Sequence, residues 1–218
     1  MFVNQWMTQD PVTLAPEMSI SAAAARMGQY KFRHMPVAAS AATGKKLLGM
    51  VSKYDIARAF PRDFNPFSIE VSPDTVPAPI SSIMTRSVVT VAPDCDIEKA
   101  ASILRTRRIN GLPVIHHEHL VGIITESDIF AALLTMTGFT SRGIKLALES
   151  EDVENPVLSL AQACEQHKMR IQGFTSFHDQ LVKQKTHSIV HLSSRPNTGF
   201  SHEIASLGFR VRSISNQT

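Results

Sequence analysis

Two short stretches of the chain set a hydroxyl three residues ahead of an acid, Ser52-x-x-Asp55 in GMVSKYDI and Thr125-x-x-Asp128 in GIITESDI. A carboxylate accepts hydrogen bonds from two adjacent hydroxyls, and a hydroxyl at the start of a helix lies beside free N–H groups that favour an anion. The same spacing is also that of a helix cap, in which the hydroxyl closes the first turn and the acid favours the positive end of the dipole. Both uses stay open, and they are compatible.

Other chemistry-bearing residues are fewer. Lys31, Arg33, Arg107 and Arg108 end two helical stretches, where they either complement helix C-termini or hold phosphates. His116, His117 and His119 crowd together, but successive side chains diverge along a strand and turn, and no second ligand group lies nearby, so a solvated turn is expected rather than a metal site. Cys95 and Cys164 are too far apart for a zinc ribbon or a disulfide framework, which fits a reducing cytoplasm, and Cys164 beside Ala161 and Ala163 reads as a small buried hydrophobe. No G-x-S-x-G, Walker, zincin or paired-carboxylate pattern occurs, so no catalytic residue, metal or cofactor is expected.

Composition sets the outer bounds. The chain has 218 residues, 43% apolar and 19% charged, enough to build one or two real cores. Its net charge of +3 comes from 22 basic against 19 acidic residues, a surplus too small to imply nucleic acid. No apolar run reaches the roughly 18 residues of a membrane span, and MFVNQWMTQD lacks the basic and apolar blocks of a signal peptide, so a soluble, unprocessed, cytoplasmic protein is expected.

The elements that position the two acid motifs come from an internal repeat. Residues 7–37 laid over residues 84–114 share 11 identities in 31 positions, among them Met7/Met84, Thr8/Thr85, Thr13/Thr90, Pro36/Pro113 and Val37/Val114. The shift of 77 then drops to 73, because AASAATGKK (38–46) is four residues longer than IHHEH (115–119), and Gly49/Gly122 and Asp55/Asp128 resume the match. A length change at one place marks a hairpin loop. Ile20, Ala23, Ala24 and Met27, like Ile97, Ala100, Ala101 and Leu104, recur at helical spacing, with Ser19 and Asp96 placed as N-caps. Strands MPVA with LLGMVS, and LPVI with LVGIIT, follow in each copy, and second helices begin near Lys53 and Glu126. Each copy is thus expected to run strand, helix, strand, strand, helix.

Residues 61–79 hold five of the twelve prolines and read as an extended linker. After Gly138 the repeat stops. The remainder predicts strand 143–149, helix 156–167, strands 170–177 and 187–193, a helix near 200–207, and strand 209–214, a ferredoxin-like βαββαβ order.

These residues resemble a known family. The xMTxxxVTxxP lead-in, the I-x-x-A-A helix, the xxPV strand and the G-h-h-[ST]-x-x-D-I segment stand in both copies, and over residues 5–137 the chain resembles a tandem pair of CBS domains. The tail resembles an ACT-type domain in layout, and the order, with the joining LLTMTGFTSRG (133–143), resembles bacterial acetoin-utilisation-type CBS proteins. The expected fold class is α/β (α+β): two βαββα repeats about a pseudo-twofold axis, then a ferredoxin-like unit. The expected domains are 1–60 and 80–138 for the repeats, 61–79 for the linker and 139–218 for the tail.

The resemblance implies two clefts between the copies that take an adenine nucleotide, with AMP, ADP, ATP or S-adenosylmethionine as the possible ligand. It assigns ribose and phosphate contacts to Ser52, Asp55, Thr125 and Asp128. It puts the base beside Thr13 and Thr90 and the backbones around Met35 and Pro36 and around Leu112 and Pro113. Amino-acid-binding ACT members carry a glycine at the turn into their first helix, whereas here EDVENPVLSL (151–160) has Val157 after Pro156, so the tail is expected to be a dimerisation or partner-docking surface. The implied function is a non-catalytic, nucleotide-sensing regulator, a homodimer with a regulated protein partner and no nucleic acid or membrane. The alternative is a structural adaptor with vestigial clefts. Enzymatic activity rests only on association with the acetoin operon.

Overall fold

The computed structural model describes every residue except 42, 63, 68–71, 73–74, 141, 152, 154, 180–184 and 218. Pro73 of the linker, Ser141 of the joining segment, and Asp152 and Glu154 of the turn before the tail's first helix lie outside the described residues. The chain divides into two compact units, Met1–Ile129 and Phe130–Thr218.

In the first unit the repeat is visible element by element. Short 3₁₀ turns at Val3–Gln5 and Ile80–Ser82 open the copies, 77 residues apart. The first copy continues with β1 (Thr8–Gln9), α1 (Ile20–Tyr30), β2 (His34–Ala41), β3 (Gly44–Ser52) and α2 (Lys53–Arg58). The second has α3 (Ile97–Arg107), β4 (Gly111–His116) and β5 (His119–Thr125), and α4 (Glu126–Met136) begins in this unit. The two hairpins carry a bulge at the same repeat position, between Val37 and Ala38 and between Val114 and Ile115. One expected strand is missing. In the second copy the counterpart of β1 is a single bridge between Thr85 and Met50, because the chain then turns and the Val88 N–H donates to the Arg86 carbonyl instead of extending the ladder.

The helical periodicity buries the expected face of α1: Ile20, Ala23, Ala24 and Met27 are all inaccessible or nearly so. Each such aliphatic side chain taken out of water contributes about 1.5 to 3 kcal/mol, less for the alanines. In α3 the buried set is Ile97, Ala100 and Leu104, and Ala101 is only half-buried. Ser19 caps α1, accepting from the Ala22 N–H at 3.2 Å, whereas Asp96 occupies the N-cap of α3 without a side-chain cap bond.

The remaining free donors at these helix starts are satisfied by the leading segment of the other copy. The Ile20 N–H donates to the Ala78 carbonyl at 2.9 Å, and its repeat partner Ile97 donates to the Met1 carbonyl at 3.0 Å. The Val3 N–H reaches the Cys95 carbonyl and the Ile80 N–H the Met18 carbonyl in the same reciprocal way. The last part of the proline-rich linker is therefore a strap. Its Val76 N–H donates to Ser21 Oγ at 2.7 Å, holding it along the start of α1.

The exchange continues into the sheets. β1 pairs with β5 of the second copy (Thr8 opposite Ile123) to make the sheet β1-β5-β4, and Thr85 bridges β3 of the first copy. Further along, each leading segment returns to its own copy, Leu14 bridging Val37 and Val91 bridging Val114. Glycines permit the crossing. A Cβ on Gly49 would stand 2.8 Å from the Thr85 carbonyl oxygen, and one on Gly122 would stand 3.1 Å from that of Thr8. No larger side chain fits where another strand passes so closely over the backbone.

The second unit holds β6 (Gly143–Glu151), α5 (Pro156–Gln166), β7 (Ile171–His178), β8 (Lys185–Leu192), α6 (Thr198–Ser206) and β9 (Phe209–Gln217). All sheet pairings are antiparallel, in the order β7-β8-β6-β9. Ile144, Leu146 and Leu148 of β6 join Leu160, Cys164, Phe200 and Ile204 of the helices in one core. Asn155 and Asn197 cap α5 and α6 through their side-chain oxygens. Among the strand side chains Glu149 is buried, yet it is ion-paired to Lys185 and Arg212.

Candidate functional site

Ser52 and Asp55 stand where β3 passes into α2, and Thr125 and Asp128 where β5 passes into α4. In the first copy the Ser52 N–H and hydroxyl donate to Asp55 Oδ2 at 2.8 and 2.6 Å, and the Asp55 N–H returns to Ser52 Oγ at 3.2 Å. In the second, the Thr125 N–H and hydroxyl donate to Asp128 Oδ2 at 2.8 and 2.7 Å. The first copy thus forms a complete capping box and the second only the half in which the acid takes the threonine N–H and hydroxyl, and both use one carboxylate oxygen. Among the described residues nothing donates to Oδ1 of either aspartate.

Each motif lines a cleft with the other copy's leading segment. The first cleft, about 320 Å3, sets Thr125 and Asp128 opposite Thr8, Asp10, Pro11 and Val12, with the stretch from Lys31 to His34 along one wall. The second, about 250 Å3, sets Ser52 and Asp55 opposite Thr85, Ser87, Val88 and Val89, with the stretch from Arg108 to Gly111 in the corresponding place. The walls match under the repeat: Thr8 with Thr85, Val12 with Val89, Lys31 with Arg108. Lys31 and Arg108 are both left-handed helix C-caps, at φ 55° and 54°, so the chain turns each cation off its helix end and into a cleft wall.

His34 and Asn110 line both clefts. Burial, then the neighbouring Arg33 charge, lowers the His34 pKa, and Asp55 and Glu126 oppose the shift, so the imidazole is neutral near pH 7. The amide nitrogen of Asn110 donates to Glu126 Oε2 at 2.8 Å.

Several residues assigned by resemblance fall elsewhere. Thr13 and Thr90 are not among the residues lining the clefts, whose walls are formed one to five residues earlier in each leading segment. Met35 and Leu112 are fully buried. Pro36 lines the first cleft, but Pro113 does not line the second, and both proline carbonyls are taken, by the Leu14 and Val91 N–H groups at 2.9 and 3.1 Å. The walls are built instead by the first half of each leading segment, which crosses to the other copy before the segment returns to its own. The basic residues separate as well: Lys31, Arg33 and Arg108 line clefts, and Arg107 lies in the last turn of α3. Thr8 and Thr85 were missed as wall residues, although they stood in the repeat as identities.

The histidine cluster lies in the β4–β5 turn, where His117 and Glu118 have positive φ and the His116 and His117 rings stand 4.1 Å apart. Among the described residues no group of three histidine, cysteine or acidic side chains is arranged to hold a metal, and no helix is long and apolar enough to cross a membrane.

A family model described as CBS domain matches residues 3–62 and 80–135, more than half of the chain and in two copies. The chain belongs to the CBS-domain family. Among solved structures, a protein from Vibrio cholerae assigned to acetoin utilization (AcuB) is 30% identical with a TM-score of 0.51, covering 62% of this chain and 90% of that one. A homoserine O-acetyltransferase of Methanohalobium evestigatum is 33% identical over 129 residues, 59% of this chain and 23% of that protein. An inosine-5'-monophosphate dehydrogenase of Streptococcus pyogenes is 34% identical over 122 residues, 55% of this chain and 22% of that protein. The chain spans less than a quarter of the length of these two curated relatives. The clefts described above are therefore the clefts of a tandem CBS pair.

Proposed function

We propose that this chain is a regulatory, non-catalytic module whose CBS pair senses an adenine nucleotide in the two crossed clefts. The observation that carries this reading is the division of labour within each aspartate: Oδ2 holds the helix start, and Oδ1 is left to accept the adjacent ribose hydroxyls. The cap fixes the carboxylate before the ligand arrives, so little side-chain entropy is lost on binding. Lys31 and Arg33 in the first cleft, and Arg108 in the second, supply positive charge for phosphate, and Val12 and Val89 supply apolar surface for a base.

The second unit supports the ferredoxin-like, ACT-type reading through its βαββαβ order and a sheet in which the first strand lies between the third and fourth. Pro156 opens α5 and Val157 is exposed at the turn, an arrangement suited to a contact surface rather than to close backbone approach by a small ligand. We read this unit as the dimerisation or partner-docking part of a cytoplasmic homodimer. The exposed apolar side chains of Phe130, Leu133, Leu134 and Met136 on α4 support a further self-association surface. Likeness to the Vibrio cholerae protein supports a place in acetoin utilisation in a bacterium.

Equilibrium titration of the chain with AMP, ADP, ATP and S-adenosylmethionine tests the central part. Saturable binding of at least one of them is expected. Absence of binding by all four overturns the sensing role and leaves the adaptor reading.

A further inference from the structure

The two clefts share a plan and differ in charge. Position by position, Lys31 of the first corresponds to Arg108 of the second, but Arg33 corresponds to Asn110. The first cleft therefore has two cations on the wall where the second has one and a neutral amide, and that amide is held by Glu126. Asp10, which corresponds to Ser87, adds an acid to the first cleft, but Lys45 neutralises it with an ion pair at 2.6 Å. Asp128 and Asp55 are common to the plan, and His34, neutral near pH 7, lines both. With the paired Lys45 and Glu126 counted beside the walls, the first cleft is more positive than the second by one charge. The first is also the larger, at about 320 against 250 Å3.

We infer that the clefts divide adenosyl ligands by charge, the Arg33 cleft taking a nucleoside di- or triphosphate and the Asn110 cleft an adenosyl compound with one phosphate or none. This rests on the sensing function proposed above. Phosphate groups beyond the first need a cation to offset their mutual repulsion, and Arg33 supplies a planar fork suited to two phosphate oxygens. In the second cleft the corresponding amide cannot, and Arg108 alone balances a single phosphate.

Calorimetric titration with ATP, AMP and adenosine in EDTA tests this on Asp55→Ala, which leaves the acid only in the first cleft, and on Asp128→Ala, which leaves it only in the second. Asp55→Ala is expected to prefer ATP over adenosine severalfold, up to about fivefold, the scale of one added exposed ion pair, and Asp128→Ala to bind AMP and adenosine at least as well as ATP. Adding Arg33→Asn to Asp55→Ala should abolish the ATP preference and leave adenosine affinity unchanged. The same charge ranking in both aspartate variants overturns the inference while leaving nucleotide sensing intact. Absence of binding by all three ligands to the unsubstituted chain overturns sensing itself, and the inference with it. Should an aspartate variant fail to fold, Arg33→Asn alone decides, because its exposed side chain caps no helix. The tighter ATP event must then weaken by about fivefold with adenosine binding unchanged, and an unaltered ATP isotherm contradicts the inference.

Discussion

Asp55 and Asp128 each serve two purposes, and substitution separates them by magnitude. Loss of a cap costs about 0.5 to 2 kcal/mol of stability. Loss of two charge-assisted bonds to ribose, each contributing about 1.5 to 3 kcal/mol, costs at least tenfold in affinity. Asp128→Ala is therefore expected to lower the melting temperature slightly and to lower affinity at the first cleft at least tenfold, as melting and titration of the same sample would show. Unchanged affinity with lowered stability would mean that capping is the whole role.

Two other residue-scale expectations follow from burial and pairing. Burial pushes the Cys164 thiol up to about 11, whereas Cys95 is partly accessible, so a thiol reagent at pH 8 should label Cys95 and reach Cys164 only on unfolding. Mass spectrometry of the labelled peptides checks this, and early labelling of Cys164 would contradict it. The Lys185 ammonium, and after it the Arg212 guanidinium, hold the Glu149 carboxyl below its ordinary value near 4.5. A lowered folded pKa gives stabilisation that is complete above the unfolded value and lost as pH falls through the folded one. Glu149→Gln should thus be less stable than the unsubstituted chain at pH 6 to 7, with the gap closing below about pH 4. Urea unfolding at both pH values reads the difference, and a gap that widens in acid would refute the assignment.

At the scale of elements, the sequence reads best where the determinants are local. The 3.6-residue spacing of Ile20, Ala23, Ala24 and Met27 marks the buried face of α1, and the [ST]-x-x-D pattern marks the capping box at Ser52 and its half at Thr125, because each is decided within one or two turns. The six elements of the second unit were legible for the same reason. The cleft walls were not, because Thr8 meets Ile123 and Thr85 meets Met50 across more than thirty residues of intervening chain. The sequence does carry one mark of this exchange. Gly49 and Gly122 recur in the repeat, and only the crossing strand explains why no side chain is tolerated there. Gly49→Ala should destabilise the first unit by about 1 to 3 kcal/mol, because the new Cβ meets the Thr85 carbonyl oxygen, which cannot swing aside as the equally close Met84 side chain can. Chemical denaturation measures it, and a neutral result would place the crossing strand farther away than described.

For the whole molecule, the proposed dimer and the proposed clefts make separate demands. Light scattering at micromolar concentration should give twice the chain mass of 24.0 kDa, and Leu133→Glu with Leu134→Glu should shift it toward the monomer if α4 contributes to the contact. A monomer before substitution would remove the dimer from the account without touching the clefts. Sensing through crossed clefts is the central claim, and hydrogen exchange with and without a saturating adenine nucleotide addresses it most directly. The account predicts paired protection from different copies: residues 8–12 together with 125–128, or residues 85–89 together with 52–55. Protection of an acid motif accompanied only by the leading segment of its own copy, or no protection at either motif, would contradict it.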